Sequence, residues 1–463
     1  MDTRRLFAIA GIFALCAAAF AQAPSAAAKL YQEAKNYADK RFAEFQRQKL
    51  PFDEKLYEQT RAEQRARALK NAAKLAAQSN LNGDDWYYLG ELYRLGEQFN
   101  EARTAYQKFL AGNPPRAHLF TSTARALLVA LHLRFKDYEA AENMLAEYAR
   151  EHPNAPRADL NLLLAKHFYD DGNFEKAVTN ARAAGVAAET EAGRGVDGAT
   201  DTIYEAGFML SQTQAALKQP NAAVATLQNL RQRAFDQYQA LNYAEATERL
   251  ADLLLDLGRK PDALKYLDES VAAAPKRFTA PNVQSFVVKQ LRRKQFAVRL
   301  QGEPAPELEI ADWIEQEPVK LVDLHGRVVL LDFWATWCGP CIAAFPHLSE
   351  WHKKYAAQGL TIIGVTHLYG EGDGQDLTPE AELVFIRNFK QRHRLPYGVA
   401  VAEGEKTHRA YYVTGLPTAI LLDRAGRIRF TQTGTGPAAK KELEAQIEKL
   451  LAEKQLDATG RLD

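Results

Sequence analysis

The chain has 463 residues, with 59 Lys and Arg against 58 Asp and Glu, 47% hydrophobic and 25% charged residues, the profile of ordinary folded domains. That composition excludes a disordered or collagen-like chain. A net charge of +1 and the lack of a long basic run remove nucleic acid and anionic membrane as main partners. The length suits two or three domains, and three cysteines need an explanation.

The N-terminus carries Arg4 and Arg5, then an apolar run from Leu6 to Phe20, then Ala21-Gln22-Ala23 before Pro24. A short basic region, an apolar core and a small-residue A-x-A site describe a secretory signal peptide over residues 1–23. The expected location is therefore exported, in the periplasm. The competing reading is an uncleaved anchor, because the apolar run approaches the span of a bilayer. Thr3-Arg4-Arg5 also has the look of a twin-arginine signal, which changes the route and not the compartment. Cys16 follows Leu15, a bulky residue where a lipid-attachment signal wants a small one, so this cysteine leaves with the segment.

Residues 28–276 are Ala-rich and carry apolar residues three and four apart, which predicts stacked amphipathic helices. Trp86, Leu89, Gly90 and Tyr93 follow W-x2-L-G-x2-Y, with Ala102, Tyr106 and Pro114 at the second-helix and closing positions. Weaker copies place a turn before Ala141 and Leu145, before Ala177, before Ala223 and Leu227, and before Ala263 and Leu267; Pro153 and Pro275 close two of them. The alanines are spaced 39, 36, 46 and 40 residues apart. The pattern resembles tetratricopeptide repeats, which implies an all-α solenoid with a face for a protein partner. A helical spacer that binds nothing is the plain alternative.

The helical pattern fades through Pro281 and Pro304, so residues 277–301 read as a linker. Residues 302–455 change character, and 456–463 form a short tail. Val328–Trp334, Leu360–Val365, Thr418–Leu422 and Arg427–Phe430 read as strands, with helices at Cys341–Ala357, Pro379–His393 and Ala438–Lys454. Strands alternating with helices and closing in a hairpin make a small α/β domain.

Trp337-Cys338-Gly339-Pro340-Cys341 follows the first of these strands and opens a helix. Two residues between the cysteines bring both sulfurs within bonding reach over one helical turn, and a helix N-terminus favours thiolate. Cys338 is expected to be the exposed nucleophile, and Cys341 the thiol that resolves the mixed disulfide. Asp332, six residues earlier and flanked by Leu331 and Phe333, is expected to be buried with a raised pKa and to exchange a proton with Cys341.

The string Asp332–Cys341 resembles the thioredoxin superfamily, and the signal segment, the entry stretch from Pro304 to Leu324 and Phe345-Pro346 resemble exported TlpA/ResA-like thiol-disulfide oxidoreductases. The resemblance implies a thioredoxin-like fold, protein disulfides as substrates, and recharging by a membrane electron donor of the DsbD type. It also implies that Gly415-Leu416-Pro417-Thr418 is a cis-proline loop. There Leu416 pairs with an incoming peptide, and Trp337, Gly339, Pro340, Pro417 and Thr418 complete the substrate surface. Gly339-Pro340 matches the dipeptide of thioredoxins, which points to a reductant.

The ten histidines form no H-E-x-x-H, the two cysteines lack a partner pair, and no Gly-rich phosphate loop follows a strand; no metal and no other cofactor is expected. Peroxide chemistry of the peroxiredoxin type wants Thr three residues before the reactive cysteine, where Ala335 stands. Gly370–Asp376 reads as a solvated acidic loop. A non-enzymatic alternative makes the solenoid the working part and the dithiol a sensor or trap.

Overall fold

The computed structural model describes residues 25–453 except Phe52 and Ala117, so the signal segment, Cys16 and the tail lie outside the described residues. The chain divides into two compact units, Met1–Leu230 and Arg231–Asp463.

The first unit is a helical solenoid: α1 Ala26–Lys35, α2 Tyr37–Arg47, α3 Glu54–Ala76, α4 Asp84–Leu95, α5 Phe99–Ala111, α6 Leu119–Arg134, α7 Tyr138–Glu151, α8 Ala158–Asp170, α9 Phe174–Gly193, α10 Ala199–Ala216 and α11 Pro220–Asp236, the last crossing the division. One device recurs between paired helices. A residue with positive φ stops the first helix at Glu97, Lys136, Gly172 and Lys218, and the next amide reaches back five residues. Gln98 donates to Tyr93 (2.8 Å), Asp137 to His132 (2.9 Å), Asn173 to Phe168 (2.8 Å) and Gln219 to Gln214 (2.9 Å). These are Schellman closures, which satisfy the last carbonyls and turn the chain back on itself. Small residues then allow close approach: Ala102, Ala141, Ala177 and Ala223 are fully buried, and a Cβ on Gly90 would stand 2.7 Å from the Tyr106 ring.

The second unit begins with α12 Ala240–Asp256, α13 Lys260–Arg277 and α14 Pro281–Leu300. The stretch read as a linker is thus mostly helix. Pro281 does not end the pattern but starts it, because at the first helical position its missing N–H costs nothing and its φ is already helical. Val287, Leu291 and Val298 of α14 are buried.

The α/β part runs β1 Ile310–Ile314, β2 Val328–Phe333, α15 Gly339–Tyr355, β3 Leu360–His367, β4 Glu371–Gly372, β5 Gln375–Asp376, α16 Pro379–Arg392, β6 Gly398–Ala402, α17 Lys406–Ala410, β7 Thr418–Leu422, β8 Ile428–Thr433 and α18 Pro437–Ala452. The main sheet has the order β1-β6-β3-β2-β7-β8, with β2, β3 and β6 parallel and the others antiparallel to their neighbours. Every residue of β2 is buried. Val328 and Leu330 face one core with Phe345 and Ile447; Val329, Leu331 and Phe333 face the other with Ile363 and Ile420.

The acidic stretch at 370–376 is a hairpin, β4 with β5, turned by Asp373 and Gly374, both at positive φ. Asp-Gly is the pair that a tight hairpin turn favours.

The crowding at Gly90 reverses an ordinary rule. Gly185→Ala in α9, where an added Cβ meets nothing within 4 Å, should stabilise the protein by about 0.5–1 kcal/mol. Gly90→Ala should instead destabilise it by about 1–3 kcal/mol, since the methyl overpacks the Tyr106 ring. Urea denaturation followed by circular dichroism checks both signs.

Candidate active site

β2 is the central delivery element. Buried on both faces and paired on both edges, it carries Asp332 into the interior and then releases the chain toward Cys338 at the surface end of the sheet. Cys338 is the N-cap of α15, and its sulfur accepts a hydrogen bond from the Cys341 amide at 3.3 Å. Gly339 and Pro340 occupy the first two helical positions, where Pro340 gives up an amide that the helix could not have used. The sulfurs of Cys338 and Cys341 are bonded, with their Cα atoms 5.2 Å apart.

Cys338 was expected to be exposed; in the disulfide it is only 4% exposed, and Cys341 1%. Its sulfur lies against the helix terminus, where it accepts from the Cys341 amide. Exposure belongs instead to Trp337, 54% open, whose indole meets the Tyr369 ring edge-on at 5.3 Å.

The Leu416–Pro417 bond is cis. Leu416 packs against the core cluster that includes both cysteines, and the Pro417 carbonyl accepts from the Gly434 amide at 2.8 Å. Thr418 is buried; its hydroxyl donates to the Gly415 carbonyl (2.8 Å) and meets Thr433 (3.1 Å), so its side chain is turned into the loop. Pro417 and Asp332 line one cleft of about 410 Å³, walled by Ala343, Ala344 and His347 of α15 and by Gly436 and Pro437 at the start of α18.

Asp332 is 3% exposed, and its cross-strand neighbours are Gly364 on β3 and Ala419 on β7, neither of which brings a charge. Burial pushes its carboxyl up to about 7. Such a group changes charge near neutral pH, where thiol chemistry needs a proton acceptor.

Two residues that sequence reasoning passed over support this end of the sheet. Glu382 of α16 is buried and accepts from the amides of Tyr369 and Gly370, both at 2.8 Å, which fixes the chain leaving β3 beside Trp337. Tyr397, just before β6, is buried beside Gly364. Neither carries a spacing motif; Glu382 reads as an ordinary acidic residue in a first helical turn.

A parallel-centred sheet with antiparallel edges, a disulfide at the N-terminus of the helix after the central strand, and a cis-proline loop before the next define a thioredoxin-fold thiol-disulfide oxidoreductase. Residues 301–431 match the model of the AhpC/TSA family. The thiol-disulfide oxidoreductase ResA of Bacillus thuringiensis (strain Al Hakam) is 32% identical over 149 residues, which span 32% of this chain and 78% of the relative. ResA of Geobacillus thermodenitrificans (strain NG80-2) is 30% identical over 149 residues, 32% of this chain and 77% of the relative. A solved thiol-disulfide isomerase from Corynebacterium glutamicum is 28% identical, covers 33% of this chain and 97% of that one, and has a TM-score of 0.29. The chain belongs to the ResA family of thiol-disulfide oxidoreductases.

The raised carboxyl has a cost in stability. Its folded value lies above the ordinary value of an unfolded chain, so the folded state binds the proton more tightly, and stability is lost as pH rises from about 4 to about 7. Asp332→Asn removes that loss. We expect the variant to gain up to about 4 kcal/mol at about pH 8 and nothing at about pH 4. Guanidinium denaturation at both pH values decides; a gain equal at the two would mean that Asp332 is not the titrating group.

Proposed function

We propose that this protein reduces disulfides in partner proteins, with Cys338 as nucleophile and Cys341 as resolving thiol. The observation that carries the reading is the Cys338 sulfur held as the N-cap of α15, where it accepts the Cys341 amide. An orphan amide and the helix dipole stabilise a thiolate there. In the reduced protein that thiolate attacks a partner disulfide, a mixed disulfide forms, and one partner sulfur leaves as thiolate. Asp332 takes the proton of Cys341, whose sulfur attacks Cys338, reforms the internal disulfide and releases the second partner thiol. Two electrons pass from the dithiol to the partner.

Trp337 and the Leu416–Pro417 edge form the docking surface around the dithiol, with Gly339, Pro340 and the Thr418 loop shaping it. Return to the dithiol takes two electrons and two protons, for which a membrane donor of the DsbD type suits an exported protein. Export rests on residues 1–23; among the described residues no helix is long and apolar enough to cross a membrane. The helical repeats over 28–276 recruit a protein partner. Support comes from a groove of about 500 Å³ along α7, α8 and α9, where Val186 stands 70% exposed beside Ala146 and Ala183.

Incubation of the reduced variants with scrambled ribonuclease tests the assignment. Cys341→Ser should accumulate a mixed disulfide through Cys338, and Cys338→Ser should accumulate none; the reverse pattern would exchange the two roles. Equilibration of the wild-type pair with dithiothreitol buffers should give a potential near −270 mV, about that of a reductant, whereas one of about −120 mV would make the protein an oxidant.

A further inference from the structure

Asp332 does not stand alone in its core. Its partner across the β2–β3 pairing is Gly364, and a Cβ there would lie 2.9 Å from Trp334 Nε1 and 3.5 Å from Tyr397 Cε2. The glycine therefore admits two rings to the position beside the acid. Both carry a donor that is buried and has no hydrogen-bond partner in the protein, the Trp334 Nε1–H and the Tyr397 hydroxyl. Buried donors are rarely left unpaired, since each costs about 1–3 kcal/mol if unsatisfied. Both rings meet the Gly364 position, which pairs across the strands with a buried carboxyl.

The electrostatics agree with the placement. Burial raises the Tyr397 hydroxyl well above its ordinary value, and the charge of Asp332 adds to the rise, so this tyrosine stays protonated and remains a donor. Adjacent strands lie about 4.8 Å apart, so a ring packed against the Gly364 position stands across the pairing from the carboxyl.

We propose that Tyr397 is a positioning residue for the buried acid: its hydroxyl donates, through one bridging water, to the ionised carboxyl of Asp332. The inference rests on the proton-transfer role given to Asp332 above and adds the group that tunes it. By favouring the charged form, the Tyr397 donor lowers the pH at which Asp332 is ready to take the proton of Cys341. The Trp334 Nε1–H supplies a second donor from the same side.

The other ionisable groups around Asp332 are distinct. His347 of α15 and Lys440 of α18 line the same cleft, Lys440 lying 4.0 Å from Glu350, and Cys341 belongs to the core on this face of the sheet. β3 and β7 contribute Gly364 and Ala419. Behind Tyr397 stands His352, its ring 6.3 Å away and its Nδ1 buried without a partner.

The test is the pH profile of kcat/KM for insulin disulfide reduction by the full-length protein, with dithiothreitol as electron source. Tyr397→Phe should move the acid inflection up by about one unit, since a donor to the charged form is lost. Tyr397→meta-fluorotyrosine keeps the shape of the ring and makes the hydroxyl a stronger donor, so it should move the inflection down. This second variant decides the matter even where the phenylalanine variant folds poorly. Asp332→Asn should abolish the inflection. If the asparagine variant keeps it, the role of Asp332 falls and the inference with it. If asparagine abolishes it while both Tyr397 variants leave it in place, or move it in the same direction, Asp332 keeps its role and the inference for Tyr397 is overturned. A merely structural tyrosine would lower kcat/KM at every pH without moving the inflection.

Discussion

Burial of β2 on both faces is the constraint on which the site depends. A strand that alternates its side chains between two cores has no solvent side, so any charged residue in it must be small in number and strongly perturbed. Asp332 is that residue. Its register neighbours are the small Gly364 and Ala419, which offer it no counter-charge. The acid is therefore held at a value near neutrality by desolvation, a service that a surface carboxylate could not perform.

The same strand determines where sulfur goes. Once β2 ends, a short turn returns the chain as α15, and the residue that caps the helix is Cys338. The disulfide and the buried acid are thus consequences of one strand leaving one sheet, with Asp332 and Cys338 six residues apart. The cis-proline loop approaches from the neighbouring strand β7, and Thr418 ties it to Gly415 and to Thr433 on β8. An inward hydroxyl at this place ties the loop to both strands of the β7–β8 hairpin.

Much of this was legible in the sequence, and the exceptions have physical reasons. The run Val328–Phe333 announced a doubly buried strand, and the motif after it announced a helix with two sulfurs on its first turn. β6 was missed because Gly398–Ala402 is five small residues, too short and too bland for a periodicity to show against the helix before it. The solenoid repeats looked degenerate because only Gly172 and Gly258 mark their turns with glycine; Glu97, Lys136 and Lys218 adopt the same left-handed conformation without advertising it. Tyr397 was unreadable in principle: its relation to Asp332 runs through the β2–β3 register, 65 residues away in the chain.

The helix over Pro281–Leu300 bears on how the second unit is built. α14 is bonded into the α/β part: Phe296 stacks on Tyr412 with ring centroids 3.4 Å apart, and Lys260 of α13 reaches the carbonyls of Arg299 and Gln301 and the carboxylate of Glu303. Tyr412 holds a left-handed backbone conformation, at φ 53°, that a bulky residue adopts only against a cost. Stacking on Phe296 offsets that cost, and Tyr412 lies only four residues before the cis Leu416–Pro417 bond. Two helices before residue 302, α13 and α14, are therefore packed and bonded into the α/β part, Phe296 against Tyr412 and Lys260 against the chain at 299–303.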